Sequence, residues 1–216
     1  MKNTIRTIAL ALAVTGSASA ATITWSPVVV NTTAADIITD GTLHVASNSA
    51  GPTAQTINGV TFAADGAGPL GSNASGTFYT AGTGSNTTGD VNLDTLLDSH
   101  SYQGGGGANF DITGLVAGET YQIQIIAVGD TRGCCATREQ NFSGDGETIS
   151  GDLLRSDPSS VVGIFVADGV TQNILVGGTT DPGLSGFQVR NLAIPEPGTA
   201  LLSFAGLLGM ALRRRR

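Results

Sequence analysis

Residues Tyr121–Val128 read Tyr-Gln-Ile-Gln-Ile-Ile-Ala-Val, and the run opens by alternating apolar and polar side chains. A period of two puts Tyr121, Ile123, Ile125 and Ala127 on one face of an extended chain. A helix does not have that period, so the segment reads as a strand with one buried side. A second run, Val161-Val-Gly-Ile-Phe-Val-Ala167, is apolar on both faces and reads as a central strand. A chain holding two such strands has to build a sheet, and the sheet needs partners from elsewhere in the sequence.

Partners are available along the chain. Thr22–Trp25 and Val28–Val30 form a first strand interrupted by Pro27, which suits a sheet edge or a bulge. Asp40-Gly41 is a turn before a strand over Thr42–Ser47. Asn58-Gly59, flanked by Ile57 and Val60, is a tight-turn signal. Residues 66–89 are rich in Gly, Ser, Thr and Asn and read as a long loop with one short strand near Phe78-Tyr79. Leu93, Leu96 and Leu97 sit at i, i+3 and i+4, so Asn92–Asp98 is the helix candidate. Asn173–Val176 and Phe187–Arg190 are the last strands. Glycine accounts for 31 of 216 residues, about twice the usual ~7%. Short strands and many turns predict an all-β protein, an antiparallel β-sandwich with one short helix.

Both ends of the chain differ from this middle. Lys2 and Arg6 precede an apolar run over Ile8–Val14, and Ala18-Ser19-Ala20 fits the small-x-small cleavage pattern. Residues 1–20 therefore read as a signal peptide, with the mature chain starting at Ala21. At the other end come Pro195-Glu196-Pro197, an uncharged run over Ala200–Leu212, and Arg213, Arg214, Arg215 and Arg216. The prolines lock φ and keep the break extended. The apolar run makes about 20–22 Å of helix, short against the ~17–25 residues of an ordinary membrane span. It reads as a transmembrane helix that relies on bilayer thinning or snorkelling, with the arginines on the cytoplasmic side.

The order Pro-Glu-Pro, short apolar helix, arginine cluster over residues 193–216 resembles the PEP-CTERM sorting signal. That signal belongs to exported proteins of Gram-negative-type bacteria that make extracellular polysaccharide. The resemblance implies recognition by an exosortase, a membrane-embedded transpeptidase-like enzyme, and cleavage near Pro195-Glu196-Pro197. Signal peptidase and exosortase would be the processing partners. The inner membrane would hold the chain only transiently, before the cell surface or the extracellular space. It implies nothing about what the upstream domain does.

Residues 21–192 form the expected ectodomain. Ile23-Thr24-Trp25, Asn58–Phe62, Phe110–Leu115, Gly118–Gln124 and Asp130-Thr131-Arg132 resemble the jelly-roll, galactose-binding-like ectodomains of other PEP-CTERM proteins. Such modules bind sugars through loops, and some carry a structural calcium. No binding residue of that group transfers to a matching position here.

The formal charge of the whole chain is −7, but the cations concentrate in the two end signals. Residues 21–192 contain four arginines, no lysine and sixteen acidic residues, a formal charge of −12. That balance excludes nucleic acid and anionic lipid surfaces as partners. Neutral sugars and divalent cations remain compatible with it.

The least ordinary loop is Gly129-Asp-Thr-Arg-Gly-Cys-Cys-Ala-Thr-Arg-Glu139. Cys134 and Cys135 are the only cysteines, in a chain bound for a compartment where disulfides persist. Neighbouring Cα atoms lie about 3.8 Å apart, below the usual ~4.4–6.8 Å of a disulfide. A vicinal bridge would close a tight ring with a small flat surface. Free or intermolecular thiols are the alternative. Two thiolates without a nearby histidine fall short of a zinc site. Asp130, Arg132, Arg138 and Glu139 flank the cysteines and are the candidate ligand loop, or else a self-bridged turn. Trp25, the only tryptophan, reads as core in preference to a sugar platform. Asp90-Val-Asn92-Leu-Asp94 starts like a calcium loop but has Thr95 and Ser101 where an EF-hand needs Gly and Glu, so it reads as a helix N-terminus.

No catalytic signature is present. His44 and His100 stand alone, and Gly183-Leu-Ser185-Gly186-Phe187 misses the nucleophile-elbow spacing. The expectation is an exported, non-enzymatic protein associated with exopolysaccharide. No cofactor is expected; a structural calcium ion is a separate reading that the acidic surface allows. A ligand-free self-associating coat protein and a glycoside hydrolase are the alternatives.

Overall fold

The computed structural model describes residues 21–64, 78–82, 86–105, 107–144 and 148–192. The expected signal peptide (1–20) and sorting tail (193–216) lie outside the described residues. Among the described residues, no helix is long and apolar enough to cross a membrane.

The strands in chain order are Thr24–Trp25 (β1), Val29–Val30 (β2), Thr42–Asn48 (β3), Gln55–Ile57 (β4), Val60–Ala64 (β5), Phe78–Gly82 (β6), Ser99–Gln103 (β7) and Ala108–Thr113 (β8). They continue with Thr120–Ile126 (β9), Glu139–Ser143 (β10), Leu153–Leu154 (β11), Ser159–Val166 (β12), Thr171–Gly178 (β13), Gly183–Leu184 (β14) and Gly186–Asn191 (β15). One helix, Val91–Leu97 (α1), lies between β6 and β7. The main sheet runs β1-β12-β9-β15-β3-β5-β4, with β2 also paired to β12. A second sheet runs β11-β10-β13-β8, and a third runs β14-β7-β6.

The first two sheets close on one core. Tyr121, Ile123 and Ile125 of β9 and Phe187 and Val189 of β15 come from the main sheet. Phe110 and Ile112 of β8, Phe142 of β10, and Ile174 and Val176 of β13 come from the second. The Phe110 and Phe187 rings meet across the gap with centroids 4.9 Å apart. Burying each such side chain contributes roughly 1.5–3 kcal/mol. Among the described residues the result is an all-β sandwich with one short α-helix.

The reverse face of the main sheet carries a second core. Phe62, Val60, Ile57, Ala46 and Ile126 meet Leu93, Leu96 and Leu97 of α1 there. Asp90 caps that helix by accepting the amides of Asn92 and Leu93, each at 2.9 Å. The Asp94 carboxylate accepts the Thr88 amide and hydroxyl. The Asp90-Asn92-Asp94 pattern therefore serves the start of the helix. The strands β4 and β5 are joined by Asn58 and Gly59, both at positive φ, as a type I′ hairpin turn requires.

The polar side of β9 is buried too. Gln122 donates to the Asp40 carbonyl at 2.6 Å, and Gln124 donates to the Asp36 carbonyl at 2.7 Å. Gln188 donates to the Ile38 carbonyl at 3.0 Å. Arg190 donates to the carbonyls of Asp40 and Gly41, each at 2.9 Å. The segment 36–41 thus lies across the sheet, and a glutamine–arginine ladder donates to its backbone carbonyls.

Two expectations need correction. The sandwich is not wholly antiparallel: β3 and β5 pair in parallel at Ser47–Ala63 and Asn48–Ala64. The tight turn makes β4 and β5 antiparallel, and β5, not β4, docks on β3, so β5 runs with β3. The Val161–Ala167 segment is not covered on both faces. It forms most of β12, next to the sheet margin, where Ile164 and Val166 are exposed. The central strands are β9 and β15. Exposed β-branched residues still favour an extended chain, so apolar content overstates burial here.

Candidate functional site

Strand β9 runs out into Ala127 and Val128, both buried, and the chain then turns through residues 129–138 before β10. This loop is held against the strand that returns at β11. The Asp130 amide donates to the Arg155 carbonyl, the Arg155 amide to the Arg138 carbonyl, and the Ser156 amide to the Ala136 carbonyl. Internal turns from Cys135 and Ala136 to the Arg132 carbonyl tighten it further.

Within the loop, Asp130 is fully buried and Arg132 closes over it. Arg132 donates from Nε to Oδ1 at 2.8 Å and from Nη2 to Oδ2 at 2.6 Å, and its amide donates to Oδ1 at 3.1 Å. Burial pushes the Asp130 carboxyl up. The side-chain and amide hydrogen bonds and the charge of Arg132 outweigh that and hold it below the ordinary aspartate value. The hydrogen bond to Asp130 in turn raises Arg132. Arg138 donates to Asp181 Oδ2 at 2.6 Å, both side chains about a quarter exposed. Asp181 stands at positive φ in the turn between β13 and β14, and its Oδ1 accepts the Gly105 amide at 3.2 Å.

Cys134 and Cys135 are bonded to each other, with Cα atoms 3.8 Å apart. Cys134 faces solvent, whereas Cys135 is buried. Glu139 is exposed at the start of β10 and does not line the cavity described next.

Arg132, Arg138 and Cys135 line a cavity of about 150 Å³ together with Arg155, Asp181, His100 and Tyr102. The His100 and Tyr102 rings, both from β7, lie 5.4 Å apart. Arg155 is 1% exposed, the largest fully buried side chain among the described residues. Its Nε and Nη2 are buried and have no hydrogen-bond partner among the described residues. Burial lowers its pKa, and the charges of Asp130, Arg138, Asp181 and Arg132 act on it in opposing directions. It stays a cation at ordinary pH. Three of the four arginines of residues 21–192 thus converge on one small cavity. A more open cavity of about 270 Å³ lies beside Asn31, Asn86, Thr88 and Pro158, with Thr131 on its wall. Among the described residues, no group of three or more His, Cys, Asp or Glu side chains is placed to hold a metal ion.

The loop reading thus named Asp130, Arg132, Arg138, Cys134 and Cys135 but missed Arg155, Asp181, His100 and Tyr102. Arginine scarcity was the available signal for Arg155, because so few cations in an acidic domain each need a reason.

Residues 193–216 match the PEP-CTERM protein-sorting motif. The chain carries the PEP-CTERM sorting motif. It is therefore an exosortase-targeted protein of the cell surface or extracellular space, and its export passes through membrane-associated sorting. No curated protein matches the sequence. Among solved structures, the chain is similar to the crystal structure of the ANX1 ectodomain from Arabidopsis thaliana, with a TM-score of 0.52 and 10% identity. The match covers 70% of this chain and 42% of that one, so this chain spans less than half the length of the ectodomain it resembles. At that identity the likeness is one of fold, and it fits a jelly-roll-like β-rich ectodomain.

Proposed function

We propose that this PEP-CTERM protein is a non-enzymatic component of the extracellular matrix that associates with the producing cell's exopolysaccharide. In this reading signal peptidase cuts between Ala20 and Ala21. The apolar run over 200–212 anchors the chain transiently in the inner membrane. Exosortase then removes the tail at Pro195-Glu196-Pro197, and the jelly-roll-like sandwich is released as the working part.

The observation that carries the reading is the sorting motif at residues 193–216 joined to a β-sandwich. Asp181, which lines the loop cavity, and Asp130, buried beside it under Arg132, support a role without catalysis. A glycoside hydrolase needs two carboxyl groups flanking the scissile bond and free to act as acid and base or nucleophile. Asp130 and Asp181 are each engaged by an arginine.

The test is co-sedimentation of the processed protein, recovered from its host, with exopolysaccharide from the same cells. Retention that soluble polysaccharide competes away is expected. A protein that stays in the supernatant at every polysaccharide concentration removes the binding role. Concentration-dependent assembly without sugar would then point to a coat protein.

A further inference from the structure

We infer that the cavity between the 129–138 loop and β7 is a binding site for the carboxylate of a single acidic sugar, with Arg155 as its anchoring residue. This rests on the exopolysaccharide reading for the sugar, and on the cavity itself for the charge.

The argument starts from the guanidinium edges. Arg132 uses Nε and Nη2, the two parallel donors on one side of the fork, to grip the Asp130 carboxylate. Arg155 carries the same two atoms, Nε and Nη2, buried and without a partner among the described residues. That edge can take a carboxylate through two parallel bonds. A buried cation with unmet donors is costly, and a carboxylate that reaches this edge from the cavity Arg155 lines removes that cost.

Charge sets the ligand class. Arg132 is matched by Asp130 and Arg138 by Asp181, which leaves Arg155 as the one excess positive charge, His100 aside. The complement is a monoanion. The Asp181–Arg138 bridge is partly exposed and forms the side of the cavity that yields when the ligand reaches the buried fork. His100 and Tyr102 supply aromatic surface for the sugar ring. The domain's formal charge of −12 repels a densely anionic polymer, so the site takes acidic sugars one at a time, at a chain end or widely spaced along a largely neutral chain.

The experiment is a titration of the full chain in detergent with glucuronic acid, followed by calorimetry or ligand-observed NMR. Glucose, the methyl ester of glucuronic acid, acetate and inorganic sulfate are the comparison probes. Glucuronate is expected to bind about tenfold or more tightly than glucose or the ester, the worth of one charge-assisted hydrogen bond. Arg155→Met should lose that preference, although the arginine tail is unchanged. Arg138→Gln, on the partly exposed side, should weaken it several-fold and serves if Arg155→Met does not fold. The proposal is overturned if glucuronate and glucose bind alike, if acetate or sulfate bind as tightly as glucuronate, or if both variants bind as the parent does. Polysaccharide retention is scored separately. Retention that Arg155→Met leaves intact overturns the pocket and spares the exopolysaccharide reading. Glucuronate binding without polysaccharide retention does the reverse.

Discussion

Arg132 and Asp130 lie two positions apart and form a closed fork, with Nε–Oδ1 at 2.8 Å and Nη2–Oδ2 at 2.6 Å. The aspartate is fully buried, and the arginine side chain is 41% exposed. The pair therefore shuts the loop from outside while its negative end is sealed in protein. Asp130→Asn keeps the shape and removes the charge. Because the arginine stays partly in water, the expected loss is about 1–3 kcal/mol, toward the low side of a broken buried pair. Urea unfolding of the two proteins measures it.

The same carboxylate gives a pH dependence. Its folded-state pKa is lowered relative to the ordinary aspartate value. A lowered acid stabilises the fold above its unfolded value, about pH 4, and that contribution drains away as pH falls through the folded value. Melting temperature should therefore decline more steeply below about pH 4 in the parent than in Asp130→Asn. Parallel slopes in the two proteins would show that other acids govern the decline.

Gly163, in the middle of β12, is a second point of close fit. A Cβ there would collide with Ile23 and stand 2.7 Å from Cζ3 of Trp25. Ile23 belongs to the sandwich core and Trp25 packs against it. Gly163→Ala should cost about 1–3 kcal/mol by overpacking and push β1 away. Trp25 is the only tryptophan, so a red shift of its emission reports the displacement. Gly133→Ala, whose Cβ meets nothing within 4 Å, should leave both stability and emission unchanged.

The sorting motif predicts a change of mass. In its own host the mature protein should lack the residues beyond Pro195-Glu196-Pro197. Replacing those three residues by alanine should leave the full-length tail attached and the chain in the membrane fraction. Intact mass spectrometry of secreted and membrane fractions distinguishes the two forms.

Local features of the fold were legible in the sequence, and distant partnerships were not. Asn58-Gly59, the leucines of α1 and the alternation of Tyr121, Ile123 and Ile125 depend on neighbours within a few residues. Gln122 and Gln124 read as the wet side of a strand. They are buried because segment 36–41, more than 80 residues earlier in the chain, lies over them. The loop's own pair, Asp130 and Arg132, was visible as neighbouring opposite charges. Arg138's partner was not, since Asp181 arrives 43 positions later from another turn. Arg155 was hidden for a different reason. It follows Leu153-Leu154 at the end of a two-residue strand, and nothing in that context says that a guanidinium is enclosed there.

The position of β15 bears on how the exported chain withstands load. Its ladders run to β9 on one side and to β3 on the other, and the Leu192 amide still holds the Thr120 carbonyl at 2.8 Å. The sorting motif begins at the next residue. If the tail holds the chain in the membrane as proposed, a pull from that end shears two rows of bonds together and does not unzip a margin one bond at a time. Under such an anchor, tension would fall on a strand bonded along both of its edges.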